Sequence, residues 1–109
     1  MIVTVFRSRL NQDTQDEYQA LAGHLSKLVL GISGYISHKS YSAEDGERVT
    51  IVEFESEDAL RTWATQPDHV GAKKLGRSTL FTDYRVQVCE VIRDSANRKS
   101  KTDQVSPAA

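Results

Sequence analysis

Residues 35–63 read YISHKSYSAEDGERVTIVEFESEDALRTW, and this stretch holds two strands, a turn and the start of a helix. Its first part, residues 35–41, alternates aromatic, polar and aliphatic residues, and residues 48–55 are rich in β-branched residues. The turn sequence EDGE at residues 44–47 lies between them and predicts a β-hairpin. Ser56 is typical of a helix N-cap and is followed by two acidic residues, so a helix is expected directly after the hairpin.

Further elements are predicted on both sides of this stretch. Residues 2–9 form a β-branched strand, and a Thr14–Glu17 capping box precedes an apolar helical stripe over residues 18–29. Downstream, a proline break precedes a short helix over residues 68–75, and a long strand covers residues 80–92. The order predicts an α+β, ferredoxin-like fold in which an antiparallel four-stranded sheet carries the helices on one face.

The chain has 109 residues and a mass of 12.2 kDa, which suffices for one domain but not for two independent cores. We expect a folded domain over residues 1–93 and a polar tail over residues 94–109, DSANRKSKTDQVSPAA. Val105 is the only large apolar side chain of that tail, which is therefore predicted to be disordered.

Removing the residues after Arg93 is expected to leave the fold and its Tm nearly unchanged, because the tail has little to add to a core. Thermal unfolding of the truncated and full chains measures this. A fall of many degrees would instead show that the tail packs on the domain or on a partner subunit.

Composition excludes several classes of protein. The formal net charge is −1, from 14 Lys+Arg and 15 Asp+Glu, and the body of the chain has no basic run, which argues against nucleic-acid binding. No apolar stretch approaches the ~20 residues of a membrane span, and no secretory signal is visible, so we expect a cytoplasmic protein without a membrane partner. The single cysteine, Cys89, excludes an internal disulfide and lies in an apolar run that predicts burial.

The strands are apolar on both sides, although the helices of one chain cover only one face of the sheet. Six residues are expected to enrich the opposite face: Tyr35, Tyr41, Val49, Ile51, Tyr84 and Val86. A second subunit that covers this face is the simplest remedy, so the sequence predicts a homodimer.

No Gly-rich phosphate loop, catalytic triad motif, HExxH sequence or paired-cysteine motif is present, and no metal site is expected. The three histidines, His24, His38 and His69, lie on separate predicted elements. Residues 63–77 are richer, because they bring together the only tryptophan, a histidine, a proline break and an arginine.

The run FESEDALRTW at residues 54–63, followed by Asp68-His69 and Leu75-Gly76-Arg77, resembles the antibiotic biosynthesis monooxygenase (ABM) family. The Gly34-Tyr35 opening of the second strand and Tyr84 before the last strand fit the same family. The resemblance covers about residues 2–91. It implies a dimeric α+β barrel, in which two sheets pack together and each subunit has a pocket between its sheet and helices.

The resemblance also implies an activity. Family oxygenases act without metal or flavin on small electron-rich aromatic compounds of the quinol or anthrone type, whose own anion passes an electron to O2. Trp63 matches the family's helix tryptophan, and His69 and Arg77 match positions commonly filled by His and Gly-Arg. These three are the candidate catalytic residues, and the expected substrate-binding residues are Tyr35, His38, Phe81 and Tyr84.

Two alternatives remain open at the level of sequence. The haem-degrading branch of the fold has an asparagine where this chain has Ser8 and a ligand histidine where it has Lys73, and a protonated lysine cannot coordinate iron as imidazole does. A small dimeric binding or stress-related protein, with a pocket but no turnover, is the other alternative.

Overall fold

The structure, a computed structural model, describes residues 1–97. Its strands are β1 (Ile2–Leu10), β2 (Tyr35–Ser42), β3 (Arg48–Phe54) and β4 (Phe81–Glu90), and its α-helices are α1 (Gln15–Val29), α2 (Glu57–Ala64) and α3 (Pro67–Leu75). A 3-10 turn, Gln12–Thr14, precedes α1, and a π-helical segment, Gly76–Leu80, follows α3. Most of the predicted tail, residues 98–109, lies outside the described residues.

All four strands pair antiparallel in the order β2-β3-β1-β4. The helices cover one face, where Val29, Phe54, Ala59 and Trp63 form a buried cluster. This arrangement confirms the expected α+β, ferredoxin-like fold.

Three of the residues expected on the open face lie on the helix side instead: Tyr35, Tyr84 and Val86. Residues directly opposite each other in neighbouring strands share a face, and Val86 lies opposite Phe6, which lines the helix side. Tyr35 is opposite the fully buried Phe54, because the pairing register shifts between Tyr35 and Ser37. A bulge of this kind moves a side chain to the other face, so simple alternation along the strand gave the wrong side for Tyr35.

The open face keeps an apolar centre. Val3, Val5, Val49 and Ile51 are half-buried there, in line with the β1–β3 register. Cys89, opposite Val3 on β4, is exposed in the single chain, so the prediction that it is buried is wrong for one subunit.

Two arginines of β1 fasten the β2–β3 hairpin loop at one end of the sheet. Arg7 makes two hydrogen bonds to the Glu47 carboxylate, at 3.0 and 3.1 Å, and Arg9 lies 2.8 Å from an Asp45 carboxylate oxygen. The pKa of Asp45 is lowered mainly by its hydrogen bond with Arg9. The Arg7–Glu47 pair is partly buried and the Arg9–Asp45 pair is exposed, and both fix the position of the loop more than they stabilise the fold.

The helix ends differ in part from the sequence-based expectation. Ser56 accepts a hydrogen bond from the Ala59 N–H at 3.2 Å and caps α2 as predicted. Thr14 makes no side-chain cap, since its hydroxyl donates to the carbonyls of Asn11 and Leu80 instead. Pro67 occupies the first turn of α3, where its missing N–H costs nothing.

Candidate functional site

A cavity of about 430 Å³ lies between the sheet and the helices. Apolar side chains of α1 form one wall and the helix-side residues of the sheet form the floor; they include Leu21, Leu25, Phe6, Val52, Val86 and Val88. The remaining wall comes from α2, α3 and the π-helical segment. A volume of this size, with mostly apolar walls and few polar groups, is typical of a small-molecule site.

Trp63 and His69 are in direct contact in this wall. Their rings are stacked, with centroids 4.2 Å apart and an angle of 15° between the planes. Trp63 is buried on the helix α2 stripe, whereas His69 comes from the first turn of α3. The close approach follows from the break at Thr65 and Gln66, which turns α3 back across the end of α2.

The protonation state of His69 follows from its partner. Its Nδ1 lies 2.8 Å from the Trp63 carbonyl oxygen, and a carbonyl only accepts, so Nδ1 carries the proton. In the neutral ring, Nε2 is then the nitrogen with the available lone pair.

Burial lowers the pKa of His69 below its ordinary value of 6.5, the hydrogen bond to the Trp63 carbonyl partly opposes this, and the charge of Lys73 lowers the pKa further. The imidazole is therefore neutral at pH 7 and suited to accept a proton.

Arg77 lines the cavity from the π-helical segment and is exposed, which places it at the rim. A glycine directly after a helix often ends it, which would place the end of α3 at Gly76. Gly76 instead keeps a right-handed helical conformation, so the π-helical segment continues α3 beyond Leu75. π-Helical turns inside or at the end of helices are frequent at functional sites.

His38 supplies a second polar group, on the sheet side of the cavity. Its Nδ1 lies 2.6 Å from the Tyr35 hydroxyl, and its Nε2 lies 3.3 Å from the Ser26 hydroxyl on α1. Tyr35 does not line the cavity; it contacts the ring of His38, which does. The pair presents an imidazole whose orientation is fixed from two sides.

Four aromatic rings line one end of the cavity: Phe6, Tyr18, Phe81 and Tyr84. Phe81 is central, with its ring centroid 5.4 Å from Phe6, 5.7 Å from Tyr18 and 6.2 Å from Tyr84. The contacts of Phe81 with Phe6 and Tyr18 are edge-to-face, so this end of the cavity presents aromatic surface to a ligand.

Gly76 allows the Phe81 ring to pack directly against the backbone, because glycine has no side chain. A Cβ at Gly76 would lie 2.9 Å from Cε2 and 3.1 Å from Cδ2 of the Phe81 ring. We expect Gly76→Ala to displace that ring and to lower the free energy of unfolding by about 1 kcal/mol, since overpacking outweighs the gain in helix propensity.

Chemical denaturation measures the effect, and Gly71→Ala on α3 is the matched control. A Cβ there meets nothing within 4 Å, so the same substitution should stabilise the helix. Equal stabilisation of both variants would contradict the proposed contact between Gly76 and Phe81.

Six of the seven sequence-based site residues line this one cavity: Trp63, His69, Arg77, His38, Phe81 and Tyr84. Phe6, Tyr18 and Lys73 line it too and were not among the predicted site residues. Phe6 and Tyr18 lie on the inward faces of β1 and α1. The alternation of residues along the strand and the helical spacing of apolar residues were the sequence signals for these positions. The third histidine, His24, lies outside the lining and forms an exposed pair with Asp68 at 2.9 Å.

Within residues 1–97, no three His, Cys, Asp or Glu side chains come together as a metal site would require. Over the same residues, no helix has the length and apolar character needed to cross a membrane.

Comparison with known proteins gives one family match and one curated relative. The family model for antibiotic biosynthesis monooxygenase matches residues 1–75. Protein YqjZ of Bacillus subtilis, itself uncharacterised, is 26% identical over 99 residues, which cover 91% of this chain and 87% of YqjZ.

Solved structures share the fold at low sequence identity. Rv0793 from Mycobacterium tuberculosis superimposes with a TM-score of 0.77 at 19% identity and covers 87% of this chain and 98% of its own. SnoaB from Streptomyces nogalater, a cofactor-independent oxygenase, gives a TM-score of 0.71 at 17% identity, over 85% of this chain and 94% of its own.

Proposed function

Because the chain belongs to the antibiotic biosynthesis monooxygenase family, we propose that it is a cofactor-independent monooxygenase of a small electron-rich aromatic compound of the quinol or anthrone type. The observation that carries the proposal is the state of His69. A neutral imidazole with its proton committed to a backbone carbonyl lies in the wall of an apolar cavity.

The aromatic walls support a flat ligand. Trp63 and Phe81 both line the cavity with aromatic rings, and the partly exposed Tyr84 adds a hydroxyl. His38, held by Tyr35 and Ser26, gives a polar contact on the sheet side. These residues bind and orient the ligand and exclude water from it.

Chemistry begins when Nε2 of His69 accepts a proton from the substrate. Arg77 stabilises the resulting anion, since a guanidinium is always charged and offers several N–H donors. The anion passes one electron to O2, and recombination of the two radicals forms a carbon–oxygen bond. The His69 imidazolium returns its proton to the peroxide formed in this way. Loss of the remaining C–H proton and cleavage of the O–O bond then eliminate water and leave a new carbonyl, so an anthrone and one O2 give one quinone and one water.

Oxygen consumption by the purified, metal-free protein with 1,8-dihydroxyanthrone tests this function. One O2 taken up for each quinone formed, above the rate without protein, supports the oxygenase. Binding of the anthrone without uptake would reject it and would favour the alternative of a binding protein.

The lone tryptophan reports binding independently of turnover. Anthrone-type compounds are expected to quench the fluorescence of Trp63 in native protein, because the indole is in the cavity wall. The variants His69→Ala and Arg77→Ala should weaken this quenching at unchanged Tm. Trp63→Phe has no tryptophan fluorescence, so its ligand affinity is measured by calorimetry. Loss of stability without loss of affinity in that variant would mean that Trp63 is an ordinary core residue.

The open face of the sheet supports the homodimer. Val5 and Ile51 lie directly opposite each other at its centre, so a second copy would bury both. Apolar burial of this kind contributes about 25 cal/mol per Å² before the entropic cost of association. The cytoplasmic location expected from composition stays a prediction.

We expect the protein to sediment as a dimer at micromolar concentration, and we expect Ile51→Lys to shift it towards a 12.2 kDa monomer by placing an unpaired charge in the interface. Gln19→Lys, which adds the same charge on the exposed surface of helix α1, is the control and should leave the dimer intact. A wild-type protein that sediments as a monomer would refute the dimer.

A further inference from the structure

The charges around the cavity are all of one sign. Lys73 and Arg77 are the charged residues of its lining, and no aspartate or glutamate of residues 1–97 lies there. The whole chain has slightly more acidic than basic residues, 15 against 14, so the composition does not explain this bias. An apolar chamber with a cationic rim fits a ligand that is flat and apolar at one end and anionic at the other.

Lys73 lies between the two proposed catalytic residues, four positions after His69 and four before Arg77. Its Nζ donates a hydrogen bond of 2.8 Å to the Ala64 carbonyl oxygen at the end of α2. An ammonium has three N–H donors, so two remain for a ligand. The contact with α2 therefore positions the ammonium group at the rim and leaves two of its N–H donors for a ligand.

We propose that Lys73 binds a carboxylate carried by the aromatic substrate and so makes the site selective for aromatic acids over their neutral counterparts. This inference rests on the cavity being the ligand site proposed above. The ring lies in the chamber against Trp63, the carboxylate lies at the rim, and Arg77 is left to the reacting oxygen. Lys73 acts in specificity and takes no part in proton transfer.

A single negative charge fits this rim better than a phosphate does. Phosphate carries nearly two charges and is usually held by backbone N–H groups at the N-terminus of a helix. Lys73 lies in the last turn of α3, far from the free N–H groups at the start of that helix. The attraction at this end must come from side chains, and one ammonium balances one carboxylate.

The same position has an ordinary structural explanation, which Lys74 makes testable. Lysines in the last turn of a helix interact favourably with its dipole, and both Lys73 and Lys74 lie in the last turn of α3. Only Lys73 lines the cavity. A contribution to the helix alone would thus be shared by both residues, whereas ligand selectivity would depend on Lys73.

Calorimetric titration with 2-naphthoate and 2-naphthamide tests the proposal, since the two probes have the same ring system and differ in charge. We expect wild-type protein to bind the acid about fivefold more tightly than the amide, the upper end of what charge pairs near a surface allow. Lys73→Gln, which keeps an N–H donor for the Ala64 carbonyl, should abolish the preference, and Lys73→Glu should reverse it. Lys74→Gln should retain it.

Equal affinity of wild-type protein for the two probes would overturn the proposal, and so would a preference that survives in Lys73→Gln. Thermal unfolding of each variant confirms that it is folded before titration. The measurement requires no O2 and no turnover. If the protein prefers the acid but consumes no oxygen, the selectivity at Lys73 stands and the oxygenase is rejected. If it consumes oxygen but shows no preference, the oxygenase stands and the selectivity at Lys73 is rejected.

Discussion

Replacing His69 with alanine is expected to lower kcat/KM for oxidation of an anthrone by about 100-fold or more, the usual contribution of a positioned general base. The substitution removes the only cavity-lining imidazole that is bound to a backbone carbonyl and stacked on Trp63. Binding of the ligand should change much less than the rate, because the apolar walls remain. Initial rates of oxygen uptake at several substrate concentrations separate the two effects.

The pH dependence gives the same residue a second signature. Protonation removes the lone pair of Nε2, so the rate should fall as the pH drops through the pKa of His69. Since burial lowers that pKa below 6.5, the acid limb of kcat/KM should lie below pH 6.5, and most of the activity should be retained at pH 7. This acid limb should be absent from the residual activity of His69→Ala.

His24→Ala is the matched control, because it removes a histidine that lies outside the cavity. Its exposed pair with Asp68 contributes little to stability, so both the rate and the acid limb should be unchanged. Added imidazole should partly restore the rate of His69→Ala by occupying the space beside Trp63. Full activity in His69→Ala would remove His69 from the mechanism.

Gly34→Ala is expected to cause the largest loss of stability of any single methyl addition described above, about 3 kcal/mol. Gly34 has a φ of +89°, which L side chains rarely adopt, and a Cβ there would lie 2.7 Å from the Cβ of Ala59. Ala59 is buried in the first turn of α2 and belongs to the core cluster, so it cannot move away. Strain and overpacking therefore add to each other.

Gly46→Ala separates the two causes. Gly46 has a similar φ of +92°, but a Cβ at this position meets nothing within 4 Å, so this variant should lose only about 1 kcal/mol from backbone strain. Urea denaturation of both variants and of Gly34→Ala combined with Ala59→Gly forms the test. If the double variant is no more stable than the sum of its single changes predicts, the steric contact is not the cause.

Much of the cavity wall follows from local periodicity. Trp63 shares its stripe with Ala59, so its inward direction can be read from the helix alone. His69 and Arg77 were identified through the family resemblance, and helix α3 and the π-helical segment after it bring them to the cavity. Tyr18 was also assigned to an apolar stripe, but nothing local distinguishes an aromatic residue of a cavity wall from one of a filled core.

The sequence by itself determined the order of strands and helices, the hairpin, the Ser56 cap and the face of each helix that turns inward. These features depend on repeats of two or 3.6 residues and on capping groups, all of which lie within one element. Only the tertiary structure decided that Tyr35 supports His38, that Tyr84 and Val86 face the helix side, and that the Trp63 carbonyl fixes the proton of His69. Each of these depends on a bulge, on the register between strands or on the crossing of two helices, and a shift of one residue there changes the partner while the local pattern stays the same.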